Sequence, residues 1–140
     1  MKAVIDTSVF VSYLLTQGSS AVWLLALWRE RRFGMITSDA LRAELAEVLD
    51  RPDIAPRVNP DRQLALVRRL RQDAIWTPGT LDVSGATADP EDEKLVSAAL
   101  EAGAQFIVTW DGVLLEQESY SGVHFVTPDE FVAIVRRQER

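Results

Sequence analysis

Asp6 and Asp111 each close a short apolar run, Ala3-Val4-Ile5 before the first and Phe106-Ile107-Val108-Thr109 two residues before the second. In an open α/β sheet, ligands bind beyond the carboxyl ends of the strands, so two strands that end on acids read as a built site. Carboxylates gathered without a basic partner repel, and some keep protons at neutral pH unless a cation is present. The chain has no cysteine and a single histidine, His124. Oxygen ligands alone select Mg²⁺ or Mn²⁺ over zinc. Mg²⁺ held by few carboxylates keeps waters, an arrangement suited to phosphodiester cleavage.

Two further acids are candidates. At about 100° per residue, Leu41, Leu45, Val48 and Leu49 form the apolar stripe of one helix. Glu44 falls on the border of that stripe, where it can reach over a sheet edge, while Glu47 points away. Asp92 lies in Asp89-Pro90-Glu91-Asp92, which is also a well-formed helix start, with a cap, a first-turn proline and acids at the positive end of the dipole. With Glu93 added, the segment carries more negative charge than a helix start needs. Asp6 has a plain reading as an N-cap, but Thr7 and Ser8 can cap without it. Asp111-Gly112 has one as a turn.

The elements that must position these acids alternate. Ala3–Asp6, Met35–Thr37, Gln105–Thr109 and His124–Val126 read as short buried strands. Val9–Leu15, Ala21–Arg32, Asp39–Asp50, Asp61–Asp73, Asp89–Ala102, Gly112–Gln117 and Asp129–Arg137 read as helices. Gly18-Ser19-Ser20, Phe33-Gly34, Arg51-Pro52, Pro78-Gly79 and Gly103 punctuate them. Ala74–Thr77 is apolar with a β-branched tail, and Leu81–Val83 is either a short strand or a loop. Strand–helix–strand alternation at this spacing predicts a three-layer α/β/α sandwich on a central parallel sheet, a single domain over residues 1–140. Right-handed crossovers bring the strand C-termini to one edge, where Asp6 and Asp111 meet.

Composition narrows the class. Hydrophobic residues at 47% and charged residues at 26% are an ordinary globular balance. The longest unbroken apolar stretch, Ala21 to Trp28, is too short to cross a bilayer, so no membrane partner is expected, and the cysteine-free composition fits a cytoplasmic location. A net charge of −6 argues against a general nucleic-acid coat. Arginines cluster locally at Arg29, Arg31 and Arg32, at Arg68, Arg69 and Arg71, and at Arg136, Arg137 and Arg140, either as solvated helix ends or as phosphate contacts. The helix faces around Trp23, Leu24, Leu27 and Trp28, and around Leu64, Leu66, Val67 and Leu70, are apolar enough to serve a homodimer.

With these residues in place, the chain resembles the PIN-domain family, in particular its toxin-like group related to the VapC toxins of toxin–antitoxin systems. Val4-Ile5-Asp6-Thr7-Ser8-Val9 is similar to the family's opening strand and acid, and Ser38 to Leu45 with Val48 to Pro52 to its glutamate helix. Asp89 to Lys94 is similar to its acidic helix start, Ala104 to Leu115 to its last acid strand, and Val126 to Phe131 to its C-terminal signature. The resemblance implies Mg²⁺- or Mn²⁺-dependent cleavage of single-stranded RNA by an endoribonuclease, with a cognate antitoxin and a homodimer as partners. It implies Asp6, Glu44, Asp92 and Asp111 as the catalytic and metal-binding quartet, Asp89 as an accessory acid, and Thr7 and Thr109 as orienting hydroxyls. Trp110 departs from the glycine usual in that group, and reads either as a base-stacking residue or, more plainly, as a packed aromatic. A non-enzymatic PIN-like module that binds RNA or protein is the alternative, which a missing acid would favour. A haloacid-dehalogenase-type phosphatase would want a second acid where Ser8 stands.

Overall fold

The structure, a computed structural model, describes residues 1–16 and 19–138. Gly18 of the expected break and Arg140 of the third arginine cluster lie outside them. The chain runs β1 (Lys2–Ile5), α1 (Thr7–Leu15), α2 (Ser20–Arg29), β2 (Gly34–Thr37), α3 (Asp39–Leu49), α4 (Pro60–Asp73), β3 (Ile75–Trp76), α5 (Glu93–Ala102), β4 (Phe106–Val108), α6 (Gly112–Gln117), β5 (Ser119–Tyr120), β6 (Val123–Val126) and α7 (Pro128–Arg137). Short 3₁₀ turns cover Ala55–Arg57 and Pro90–Asp92. Together they form an α/β sandwich on a sheet ordered β3-β2-β1-β4-β6-β5, parallel except for the β5–β6 pair.

The central strands β1, β2 and β4 are mostly apolar and buried because both faces of the sheet are covered there. Successive side chains point to opposite faces, so each strand feeds two cores. Ala3, Ile5, Met35 and Val108 join one core with residues of α1, α2, α4 and α7, while Val4, Ile36 and Ile107 join the other with α5. Phe131 of α7 is fully buried and meets Phe33 and Phe106 edge-on, at centroid distances of 4.8 and 5.7 Å. Thr127 and Glu130 start α7 with a reciprocal capping box.

The acidic helix start is two elements in succession, the 3₁₀ turn Pro90–Asp92 and then α5, which Gly103 ends in the left-handed conformation at φ 70°. The segment Leu81–Val83 is a loop. It is held by Glu101, which accepts hydrogen bonds from Thr77 Oγ1 (2.7 Å), from Thr80 N (2.8 Å) and Leu81 N (2.9 Å), and from Gly79 N. Gly79 turns there at φ +70°, where an added Cβ would stand 3.1 Å from Ser38 Cβ. Most of the face proposed for dimer contact is internal: Leu24, Leu27, Trp28, Leu66 and Leu70 are buried, leaving Trp23 and Leu64 exposed. Among the described residues no single helix is long and apolar enough to cross a membrane.

Candidate active site

β1 and β4 lie side by side, with Ile5 opposite Val108, and the Asp6 amide donates to the Val108 carbonyl at 2.9 Å. Both strands therefore end at one sheet edge, and the residues that follow them meet there. Asp6 is the N-cap residue of α1, yet its carboxylate makes no capping hydrogen bond. Its Oδ2 instead accepts from Thr109 Oγ1 at 2.8 Å and from Ser8 Oγ at 3.2 Å. Thr109, fully buried, also accepts the Asp111 amide at 3.0 Å, so one hydroxyl orients two acids. Asp111 itself does cap, its Oδ1 accepting from Val113 N of α6 at 2.8 Å.

Glu44 arrives from α3, half-buried on the border of the apolar stripe as expected. Its Oε2 accepts from Thr7 Oγ1 at 2.7 Å, and its Oε1 lies 3.0 Å from Lys94 Nζ. Asp92 caps no amide of α5, whereas Asp89 does the capping work of the helix start, accepting from Glu91 N at 3.0 Å. The helix-start reading thus accounts for Asp89 and not for Asp92. Lys94 is the residue that the sequence reading left without a role, although its place two residues after Asp92 puts it at the same edge.

The acids influence one another. Burial, and then the charges of Asp111, Asp6, Asp89 and Glu44, push the Asp92 carboxyl up from 3.8 to about 6. Burial also raises Asp6, and Glu44 adds to this against the lowering hydrogen bond from Thr109. For Lys94, burial acts downward but is outweighed by its hydrogen bond and ion pair with Glu44, so the ammonium is held above its usual range. No group of three acids among the described residues stands close enough to enclose an ion. The donor chemistry suits one all the same, since Asp6, Asp92 and Asp111 offer only oxygen and have no lysine, arginine or histidine partner among those residues.

Trp110 is only partly packed. It is 41% exposed beside Asp111, with Val113 exposed on the same turn. Trp76, also exposed, ends β3 at this edge and donates its indole N–H to Asp39 Oδ1 at 3.1 Å. Among the arginines, Arg69 pairs with Asp73, Arg32 with Glu30, and Arg136 lies over the Trp23 ring, so those clusters are partly engaged within the chain. A groove of about 580 Å³ between α3 and α4, lined by Arg42, Leu45, Leu49, Val67 and Leu70, contains none of the quartet.

A family model described as PIN domain matches residues 2–112, from β1 through the acid that follows β4; β5, β6 and α7 lie beyond the match. No curated protein matches the chain.

Proposed function

The chain belongs to the PIN-domain family, and from that premise we propose that it is an Mg²⁺- or Mn²⁺-dependent endoribonuclease of single-stranded RNA. PIN domains are generally nucleases and typically use divalent metals. The observation that carries the reading is the convergence of Asp6, Glu44, Asp92 and Asp111 from four separate elements on one sheet edge, where Thr109 ties Asp6 to Asp111, Thr7 holds Glu44, and Asp92 feels the charge of all three. Asp6, Asp92 and Asp111 are the residues that would hold the cation. A divalent ion held there would supply positive charge toward a phosphate and make a water more acidic. The chain's own contribution is orientation: Thr109 fixes Asp6 and the backbone of Asp111, and Thr7 fixes Glu44. Exposed Trp110 beside Asp111 offers a face on which an unpaired base can stack, which supports a single-stranded substrate.

Within the family, the toxin-like group related to VapC is the finer assignment, supported by the order of the sequence motifs. It brings a cognate antitoxin, a homodimer and a cytoplasmic setting as the expected context. The separation of the acids, and the engagement of Glu44 by Lys94, favour a second reading, a catalytically weak module that binds RNA or protein. One experiment divides them. Single-stranded RNA is incubated with the protein and Mn²⁺, with and without EDTA, beside the Asp6→Asn variant. EDTA-sensitive cleavage that the variant lacks supports the nuclease; binding without cleavage supports the module.

A further inference from the structure

Two of the arginine clusters meet in the fold, although about forty residues separate them in the chain. Arg29 and Arg31 stand at the end of α2 and Arg69 on α4, and all three line one cavity of about 340 Å³. Gly34 and Ile75, the first residues of β2 and β3, also border it, so the cavity lies where strands begin, at the sheet edge opposite the acids. The three arginines are exposed, whereas Trp28 and Phe33 on the same wall are buried. Asp73 is the one acid among the lining residues, and it pairs with Arg69 at 3.2 Å. Among the described residues Arg29 and Arg31 have no acid partner.

An arginine at a helix C-terminus often serves the helix, whose last carbonyls attract cations. That account is weak for α2, because those carbonyls are already occupied. The amides of Glu30, Arg31 and Arg32 donate to the carbonyls of Ala26, Trp28 and Leu27 at 3.0, 2.9 and 3.0 Å. The last two bonds form the paired closure common at helix ends, and the residue at its turn is usually glycine. Here that residue is Arg31, held at φ 62° in the left-handed region that disfavours side chains. The chain keeps a cation where the backbone alone favours glycine.

We propose that this cavity, lined by Arg29, Arg31 and Arg69, is a binding site for the phosphate groups of a nucleotide or nucleotide chain, separate from the acid edge. Three cations face one carboxylate there, an excess of two positive charges on a chain whose net charge is −6. A polyanion repelled by the rest of the surface is drawn to such a spot. Guanidinium forks match phosphate oxygens two at a time, and the Gln72 amide on the same wall adds an uncharged donor. The apolar side chains of Trp28, Phe33 and Ile75 lower the local dielectric, which strengthens each charged hydrogen bond. At about 340 Å³ the cavity is at the small end of ligand pockets, a size that suits a nucleotide. The phosphates can belong to a stretch of single-stranded RNA or to a free nucleotide, since both present the same oxygens. Occupancy needs neither the acids nor cleavage, so the site goes beyond the nuclease reading.

The test is calorimetry in metal-free, low-salt buffer with two probes, pyrophosphate and a short oligouridylate without a terminal phosphate. Wild type is expected to bind at least one of them, with an affinity that falls as salt rises. Arg29→Gln, Arg31→Gly and Arg69→Gln should each lower that affinity about tenfold, the loss of one charged hydrogen-bonding pair. Arg57→Gln makes the same change of charge on a residue that does not line the cavity, and should leave the affinity unaltered. Arg31→Gly also separates binding from folding: relief of the left-handed arginine should leave the melting temperature at or above that of wild type. Tighter binding of the oligouridylate assigns the site to an RNA strand, and tighter binding of pyrophosphate assigns it to a free nucleotide; either supports it. Binding of neither probe to wild type overturns the inference, as does an equal loss in Arg57→Gln or unchanged affinity in the three cavity variants. None of these results touches the nuclease reading, which concerns the opposite edge.

Discussion

Replacing Asp92 by Asn should make the metal-free protein more stable at neutral pH. Asp92 makes no capping hydrogen bond, so the change removes charge without removing a contact. Its carboxyl is raised from 3.8 to about 6 by burial first and by Asp111, Asp6, Asp89 and Glu44 after it. A raised carboxylic acid binds its proton more tightly in the folded chain than in the unfolded one, so its contribution to stability falls as pH climbs from 3.8 to about 6 and is fully unfavourable above that window. At about 1.4 kcal/mol per pH unit, the shift corresponds to a ceiling of roughly 3 kcal/mol. Asp92 is only partly buried, and screening by water reduces this to about 1–1.5 kcal/mol. In EDTA near pH 7.5 the variant should therefore melt about 3–5 °C above wild type. The gain should shrink to about a third near pH 4.5, where the folded wild type already carries the proton. With Mn²⁺ the order should reverse, because only wild type gains full stabilisation from the ligand. An Asn variant that is destabilised by the same amount at both pH values would refute the reasoning and leave Asp92 as a local helix-start residue.

Other expected outcomes follow from the same geometry. Asp6→Asn should abolish EDTA-sensitive RNA cleavage while the melting temperature without metal stays at or above that of wild type; loss of folded protein would count against it. Thr109→Val removes the donor to Asp6 and the acceptor of the Asp111 amide, costs about 1–3 kcal/mol in urea unfolding, and lowers activity, whereas Thr109→Ser should restore both. Glu101 is held down at about 2, chiefly by the Thr77 hydroxyl and then by the amides of Gly79, Thr80 and Leu81, so its support persists above its ordinary 4.5 and is lost as pH falls toward 2. Glu101→Gln should speed amide hydrogen exchange at Gly79, Thr80 and Leu81 at neutral pH, and unchanged protection there would exclude the anchor. Trp110→Ala should weaken RNA binding by about 1–3 kcal/mol and abolish the fluorescence quenching attributable to that indole.

The sandwich was legible because both signals it needs are local. Uninterrupted apolar runs such as Val4-Ile5 and Ile107-Val108 belong to strands covered on both faces, and Asn59-Pro60 and Thr127-Pro128 mark helix starts whose caps the structure contains. The border position of Glu44 also followed from helix periodicity. What escaped depends on pairing between distant parts of the chain. The two-residue strand β5 exists only because it folds back antiparallel on β6. Glu101 looked like one more solvated acid near a helix end, yet it organises a loop some twenty residues upstream. Lys94 looked like an ordinary first-turn cation, and its meaning comes from Glu44 on another helix. Trp110 read either as a base-stacking residue or as a packed aromatic, and the structure leaves it 41% exposed.

The hydrogen bond from Thr109 to Asp6 joins positions 103 residues apart. β1 is the first strand made, and β4, its central neighbour, is built after three strands and five helices have passed. Contacts this distant in sequence form slowly, because the intervening chain must be ordered before they repay it. During synthesis, Asp6 emerges without Thr109 to aim it and without Asp92 or Asp111 beside it. The acid edge does not exist until nearly four fifths of the chain has been translated, so a truncated or nascent product ending before β4 carries the first acid and none of the geometry. If the proposed nuclease activity holds, such a polypeptide stays silent toward the message that encodes it until its central strand pair closes.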